Sequence, residues 1–256
     1  LRGMFSFAIW DENSRSLFCA RDRFGIKPFS YAVVGDVFLF ASEAKALLPF
    51  IPEIRTDLSA LKDYLAFQLC LDGKTLFEGV SELLPGHRLA IRAGKMKIER
   101  YWEVYYRPDF DHTRKYFTER LRELLLDSIR VHTRSDVPIG SYLSGGLDSS
   151  AVTALAVKHR ETGGDFLSFT GKFSLGELYD ESRYARAVAD HSGIGLHEID
   201  ITSRDFLDTI QKVVYHLDYP VAGPGSFPQY QVSKLAARHR KVVLGGQGAD
   251  EIFGGY

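Results

Sequence analysis

Cysteine is scarce in this chain: two residues, Cys19 and Cys70, in 256. They lie far apart and fit no Cys-x-x-Cys spacing, which argues against a disulfide framework and for a reducing compartment, the cytoplasm. Net charge is almost absent, −1 at pH 7 from 32 basic and 33 acidic residues, so no global basic field advertises nucleic acid or an acidic membrane as a partner. No apolar run reaches the roughly 18 residues a spanning helix needs, and no secretory leader is visible at the start. The eight histidines are scattered, and no His-x-His or His-Glu-x-x-His pattern gathers them into a zinc site. Two catalytic signatures are missing as well. Asp72-Gly73-Lys74-Thr75 lacks the leading glycine and the following helix of a Walker loop, and no Gly-x-Ser-x-Gly elbow occurs.

What is present is a soluble globular composition, 45% apolar and 25% charged, over a length with room for two ordinary domains. Both ends read as if cut mid-phrase, Leu1-Arg2-Gly3-Met4-Phe5 at one and Phe253-Gly254-Gly255-Tyr256 at the other. A fragment of a longer protein is therefore expected.

The first half alternates in the β manner. Phe5 to Trp10 and Leu17 to Ala20 flank a turn at Asp11–Ser14, and Phe29 to Val34 and Val37 to Phe40 flank Gly35-Asp36, so two hairpins are predicted. The charged turn Arg21–Pro28 between them has no spacing of a catalytic pair and is expected to be solvated or to contact another domain. A short helix is predicted over Ala41–Leu48, stopped by Pro49, and another over Leu58–Leu69 on the leucine spacing. Leu83–Leu89 is a turn entering a strand, Tyr101-Trp102 closes the unit, and Pro108-Asp109 reads as a linker. Thr113 to Val131 is an amphipathic helix with Phe117, Leu121, Leu124, Leu125 and Ile129 as its stripe. Glutamates interleaved with its arginines make the other face a solvated one.

Beyond it strands and helices alternate. Strands are predicted at Pro138–Leu143, Phe166–Thr170, Leu196–Ile201 and Lys241–Gly245, and helices at Ser149–Arg160, Glu181–His191, Ser203–Leu217 and Gln229–Arg240, punctuated by Gly163, Gly193 and Gly245. Such alternation implies a parallel sheet covered by helices on both faces, with ligands at the carboxyl ends of the strands. Two glycine loops follow such strand ends, Ser144-Gly145-Gly146-Leu147-Asp148-Ser149-Ser150 and Gly245-Gly246-Gln247-Gly248-Ala249-Asp250-Glu251. The first, between a strand and a helix N-terminus, is an anion cradle: backbone N–H groups converge, the glycines admit an oxyanion, and three serines add hydroxyls. A carboxylate beside phosphates makes sense when a hard divalent cation bridges them. The second loop has Glu251 where a dinucleotide fingerprint would end in glycine, which discounts that reading. Together the loops suggest a magnesium-bound polyphosphate, with Asp148 and Asp250 sharing the ions that draw charge off a pyrophosphate leaving group.

Ser-Gly-Gly-Leu-Asp-Ser-Ser after a strand resembles the PP-loop of the ATP pyrophosphatases. With Gly-x-Gly-Ala-Asp-Glu-Ile-Phe-Gly-Gly-Tyr at its far end, the chain resembles glutamine-dependent asparagine synthetases. Leu1–Ala8, Arg21–Pro28 and Phe40–Leu47 are similar to the last third of that family's class II glutaminase domain. The resemblance covers essentially the whole chain. It implies an α/β protein in which a truncated Ntn-hydrolase-type antiparallel β domain, residues 1–103 with the connecting segment, precedes a doubly wound parallel-sheet PP-loop domain (adenine nucleotide α-hydrolase-like), residues 104–256, truncated at its C-terminus. It implies that aspartate is activated by ATP as β-aspartyl-AMP with release of pyrophosphate, and that ammonia drawn from glutamine through a channel completes asparagine. The partners would be small molecules (aspartate, glutamine or ammonia, and ATP), with neither nucleic acid nor membrane; a homodimer is compatible. The family's cysteine nucleophile would lie upstream of Leu1.

Carried onto this chain, the resemblance assigns ATP binding to Tyr142, Leu143, Ser144, Gly145, Gly146, Ser149, Ser150, Gly171, Gly245 and Gly246, magnesium to Asp148 and Asp250, and the catalytic position to Gln247. Two positions depart from the family pattern. Gly171 stands where a branched aliphatic residue is frequent. Gln247 stands where glutamate is tied to forming the acyl-adenylate, and glutamine can orient a substrate but cannot take a proton. The loop Asp218–Ser226 also lacks an arginine for an aspartate carboxylate. A related adenylating amidotransferase or β-lactam-type synthetase acting on another acid is therefore a second reading, and a nucleotide-binding scaffold without chemistry a third; the intact Asp148 and Asp250 count against the last.

Overall fold

The computed structural model describes residues 1–159, 165–176, 179–220 and 225–255. Arg160, Gly163 and the middle of the Asp218–Ser226 loop lie outside the described residues. The chain forms two compact units, Leu1–Pro108 with Val214–Ala222, and Asp109–Val213 with Gly223–Tyr256.

The first unit is antiparallel. β1 (Ser6–Asp11) and β2 (Ser16–Arg21) form the predicted hairpin. Its turn is tied by the Asp11 carboxylate, which accepts from Asn13 N at 3.0 Å and Ser14 Oγ at 2.6 Å. β3 (Ser30–Val34) and β4 (Val37–Ala41) form the second hairpin. Three strands complete the unit. β5 (Val80–Glu82) adds to β3, while β6 (His87–Arg92) pairs β2 and is followed by β7 (Lys95–Arg100). The sheet orders are β1-β2-β6-β7 and β4-β3-β5. Cys19, Phe29, Leu83 and Leu89 form one core, and Ala32, Ala44, Leu47 and Val80 another. Both cysteines are free thiols, and burial pushes Cys19 up to about 11, so it is an inert core residue.

Three expectations for this unit are corrected. Ala41–Leu48 is not a helix ended by Pro49. Two 3-10 turns form instead, Ala44–Ala46 and Leu48–Phe50, with Pro49 inside the second, because proline's fixed φ suits the first residues of a helical turn. α1 (Leu58–Phe67) forms, capped by Asp57, which accepts from Ser59 N and Ala60 N. Its leucine stripe is not its inner face here: Leu58 and Leu65 are exposed and Ala60 is buried. The turn Arg21–Pro28 is not simply solvated. Arg21 and Asp22 are buried and hold the loop together, whereas Arg23 and Lys27 are exposed.

The second unit opens with α2 (Arg114–His132), capped by Thr113. Only the C-terminal part of its expected stripe is covered, with Ile129 buried and Phe117, Leu121 and Leu124 exposed. The four predicted strands then appear as β8 (Ile139–Tyr142), β9 (Leu167–Lys172), β10 (Gly195–Asp200) and β11 (Val242–Leu244). All neighbours run parallel, in the order β10-β9-β8-β11. α3 (Leu147–His159), α4 (Ser182–Ser192), α5 (Ser203–Leu217) and α6 (Ser226–Ala236) alternate with them, and a short α7 (Ala249–Phe253) follows β11.

Strand alternation sorts the side chains to two faces. Ile139 packs with Ile129, Ala156 and Phe166, and Leu143 with Ala185 and Ala189, so α2, α3 and α4 cover one face. Phe169, Ile201, Phe227, Val232 and Ala236 form the core under α6 on the other. A doubly wound parallel sheet thus follows an antiparallel unit, as the sequence implies. Among the described residues no helix is long and apolar enough to cross a membrane.

Candidate active site

From β8 the chain moves outward through β9 to β10, then returns to the far side of β8 to lay down β11. The gap between β8 and β11 is therefore the topological switch point of the sheet, where crevices open at the carboxyl ends of strands. Leu244 lies opposite Ser141, so the two glycine loops leave from adjacent strand ends. They touch: a Cβ on Gly246 would lie 2.8 Å from Ser149 N and 3.2 Å from Asp148 C. Glycine is thus required for the second loop to lie against the first turn of α3.

α3 begins at Leu147, two residues earlier than the sequence suggests, which puts Asp148 and Ser149 in its first turn. The first N–H groups of a helix have no partner within it, and their partial charges favour an anion. The loop in front is shaped by its own hydroxyls. Ser144 Oγ accepts from Gly146 N at 3.3 Å and shares a hydrogen bond with Ser149 Oγ at 3.0 Å, and Ser149 Oγ donates to Gly146 O at 3.1 Å. Gly145 takes φ +91, where its Cβ would strike Tyr184 and the Ala185 backbone of α4, so it serves the turn and its packing.

Two cavities share this rim. One of about 700 Å³ is walled by Ser144, Gly146, Asp148, Ser149, Gly246, Gln247 and Asp250. The other, of about 310 Å³, is more apolar and takes in Leu143, Phe169, Gly171, Ile201 and Val232. Tyr142, Ser144 and Gln229 line both. Of the expected site residues, Gly145, Ser150 and Gly245 line neither. The Ser150 hydroxyl is buried with no hydrogen-bond partner, and Gly245 lies beneath the Gln247 amide, whose oxygen occupies the place a Cβ would take. At Gly171 the volume a branched side chain would use is filled from elsewhere, since Ile201 Cδ1 lies 2.6 Å from the position of a Cβ.

The charge on the lining of both cavities is of one sign. Asp148 and Asp250, both half-buried, face the larger cavity and Glu181 the smaller, while no lysine or arginine is among the described residues lining either. A polyphosphate here needs a cation between itself and these carboxylates. Among the described residues no group of three or more His, Cys, Asp or Glu could hold a metal by itself. Two hard carboxylates without a closed cage suit magnesium, which keeps waters and takes further ligands from phosphate. Sequence reasoning missed Gln229, which it placed only as the start of a helix. Because Pro228 is tolerated in a first turn, α6 starts at Ser226 and carries Gln229 to the rim. Nothing in the local pattern signals this; only the strand order does.

Residues 120–256, more than half of the chain, match the family described as asparagine synthase. The chain belongs to the asparagine synthase family. Residues 1–102 match the glutamine amidotransferase domain. The glutamine-hydrolyzing asparagine synthetase 1 of Bacillus subtilis (strain 168) is 38% identical over 260 residues, covering 100% of this chain and 40% of that protein. The glutamine-hydrolyzing asparagine synthetase 3 of the same organism is 33% identical, over 100% of this chain and 44% of its own length. Amidase chry2 of Gibberella zeae is also 33% identical, over 100% and 40% respectively. This member of the family thus spans less than half the length of these relatives.

Proposed function

We propose that this chain carries the adenylation half and part of the glutaminase half of an ATP-dependent amide synthetase acting on aspartate. Residues 1–103 belong to the part that supplies ammonia from glutamine, and residues 104–256 to the part that activates the acid. The observation that carries this reading is the contact between the two glycine loops at the β8–β11 switch point, which sets Asp148 and Asp250 in the wall of one cavity.

Each residue then has a role. Ser144, Gly146, Ser149 and the first N–H groups of α3 cradle the phosphates. Asp148 and Asp250 hold magnesium, which supplies charge neutralisation for the departing pyrophosphate. Tyr142, Leu143 and Gly171, in the smaller cavity, receive the nucleoside end. A carboxylate oxygen of aspartate attacks the α-phosphorus, the α–β phosphoanhydride bond breaks, and pyrophosphate leaves; ammonia then attacks the acyl carbon and AMP departs. Gln247 contributes orientation and hydrogen bonds rather than proton transfer.

The test is carboxylate-dependent exchange of pyrophosphate into ATP by the full-length protein. Aspartate should support exchange, and asparagine should form when glutamine or ammonium is added. Exchange with other carboxylates but never with aspartate would move the assignment to the second reading, an adenylating enzyme for a different acid. Gln247 in place of glutamate favours that alternative.

A further inference from the structure

Four side chains form one continuous line of hydrogen bonds across the rim. Gln247 Nε2 donates to Gln229 Oε1 at 3.3 Å. Gln229 Nε2 donates to Ser233 Oγ at 3.3 Å. The Ser233 and Tyr142 hydroxyls share a bond of 2.8 Å. Gln229 and Ser233 are four apart on α6 and so stand one above the other on the same helix face. The line begins on the loop after β11, crosses α6 and ends on β8, tying together the elements that frame both cavities.

The line runs in one direction, with each amide nitrogen donating to the next residue along it. With its nitrogen on Ser233, Gln229 presents its oxygen to Gln247. A carboxamide oxygen accepts and a carboxylate cannot donate to it, so in this orientation the neighbour that satisfies Gln229 is an amide nitrogen. On its other side the Gln247 oxygen lies over Gly245, where any Cβ would displace it. The amide of Gln247 is therefore seated between a residue with no side chain and an acceptor that dictates which end faces it. Its nitrogen carries a second proton to give, in the wall of the cavity that also holds Asp148 and Asp250.

We propose that Gln229 is the positioning residue for Gln247. It holds the carboxamide as a hydrogen-bond donor toward an anionic oxygen of the reacting acid or phosphate, so that Gln229 and Gln247 work as a pair in place of a single glutamate. This rests on the adenylation reading above for its chemical consequence, but not for its geometry.

A double-mutant cycle in the full-length protein tests it, using Gln229→Met, Gln247→Met and both together, with pyrophosphate exchange as the rate. Each single change should lower kcat about tenfold, the equivalent of one hydrogen bond worth about 1.4 kcal/mol, with KM for ATP within about twofold because the phosphate cradle is untouched. The double variant should be no slower than Gln247→Met, since Gln229 acts only through Gln247. Additive losses, an unchanged kcat in Gln229→Met, or a raised KM with kcat intact would overturn the pairing. Crystal structures of the wild type and Gln229→Met give a readout independent of turnover: the Gln247 amide should leave its seat over Gly245 in the variant, and an unmoved amide refutes the positioning role. Absence of exchange with every carboxylate in the wild type would instead defeat the adenylation reading, leaving the crystal comparison to decide on Gln229.

Discussion

Gly246 and Gly248 sit two residues apart in one loop and would answer the same substitution differently. At Gly246 an added methyl would lie 2.8 Å from Ser149 N, a backbone atom of the α3 N-terminus that cannot swing aside. At Gly248 nothing lies within 4 Å, and the cost is the left-handed φ of +95 alone, roughly 1–2 kcal/mol for a non-glycine residue. Gly246→Ala should thus push the two loops apart and lower adenylation at least tenfold, while Gly248→Ala loses stability with far less effect on rate. Steady-state kinetics beside thermal unfolding of both variants checks this; equal losses of rate would show that loop contact is not what matters. Asp148 gives a cleaner separation of fold and chemistry. It is half-buried in the first turn of α3, where a carboxylate is worth about 0.3–1 kcal/mol to the helix. Asp148→Ala should therefore leave the unfolding midpoint nearly unchanged and abolish exchange. Turnover at the wild-type rate would remove its metal role.

At the scale of elements, the segment from β2 to β3 is held by two buried charges that serve the backbone. Asp22 accepts from the N–H groups of Phe24, Ile26 and Lys27 at 2.9 to 3.1 Å, and from Phe5 at 3.4 Å. Arg21 spends its guanidinium on the carbonyls of Lys27, Gly25 and Leu83, and pairs with Glu82 at 3.1 Å. Removing the Asp22 side chain leaves several part-buried N–H groups without an acceptor, at about 1–3 kcal/mol each where water cannot replace it. Asp22→Ala should cost about 3 kcal/mol or more, measured by denaturant unfolding of the full-length protein; a loss below about 1 kcal/mol would mean the loop re-solvates freely. The sequence shows the charges but not this use of them, because nothing in the order Arg-Asp-Arg says which side chains turn inward. The parallel sheet was legible because four short apolar runs spaced by helices leave few other arrangements, and with it came the placing of the two loops on one rim. β7 was not, since Lys95–Arg100 is mostly polar and forms the edge of its sheet. The leucines of α1 and the front of α2 misled for the opposite reason: apolar periodicity marks a face that packs on something, and in this chain much of that face is exposed.

Across the whole molecule, acid should act on the two units in turn, because the groups whose charge folding perturbs differ between them. In the second unit His197 stacks on His239 with ring centroids 4.3 Å apart and on Phe169 at 5.6 Å. Burial first, then the neighbouring His239 and Arg240, hold its pKa below the ordinary histidine value. The unfolded chain therefore binds more protons than the folded one as pH falls below about 6.5, so stability there is full above that value and declines beneath it. In the first unit burial alone would raise the Asp22 pKa, but its backbone hydrogen bonds from Lys27, Ile26, Phe24 and Phe5 outweigh that and hold it below the usual carboxylate range. That contribution is complete above about pH 4 and is lost only as pH falls through the depressed value. Amide hydrogen exchange, corrected for intrinsic rates and followed from pH 7.5 to about 2.5, should show protection in β9 and β10 falling before that in β2 and β6. His197→Gln should remove the early decline and leave the later one in place. Protection that falls together in both units, or a decline in β9 and β10 that survives His197→Gln, would show that the stacked histidine does not set the acid limit of the unit that carries the site.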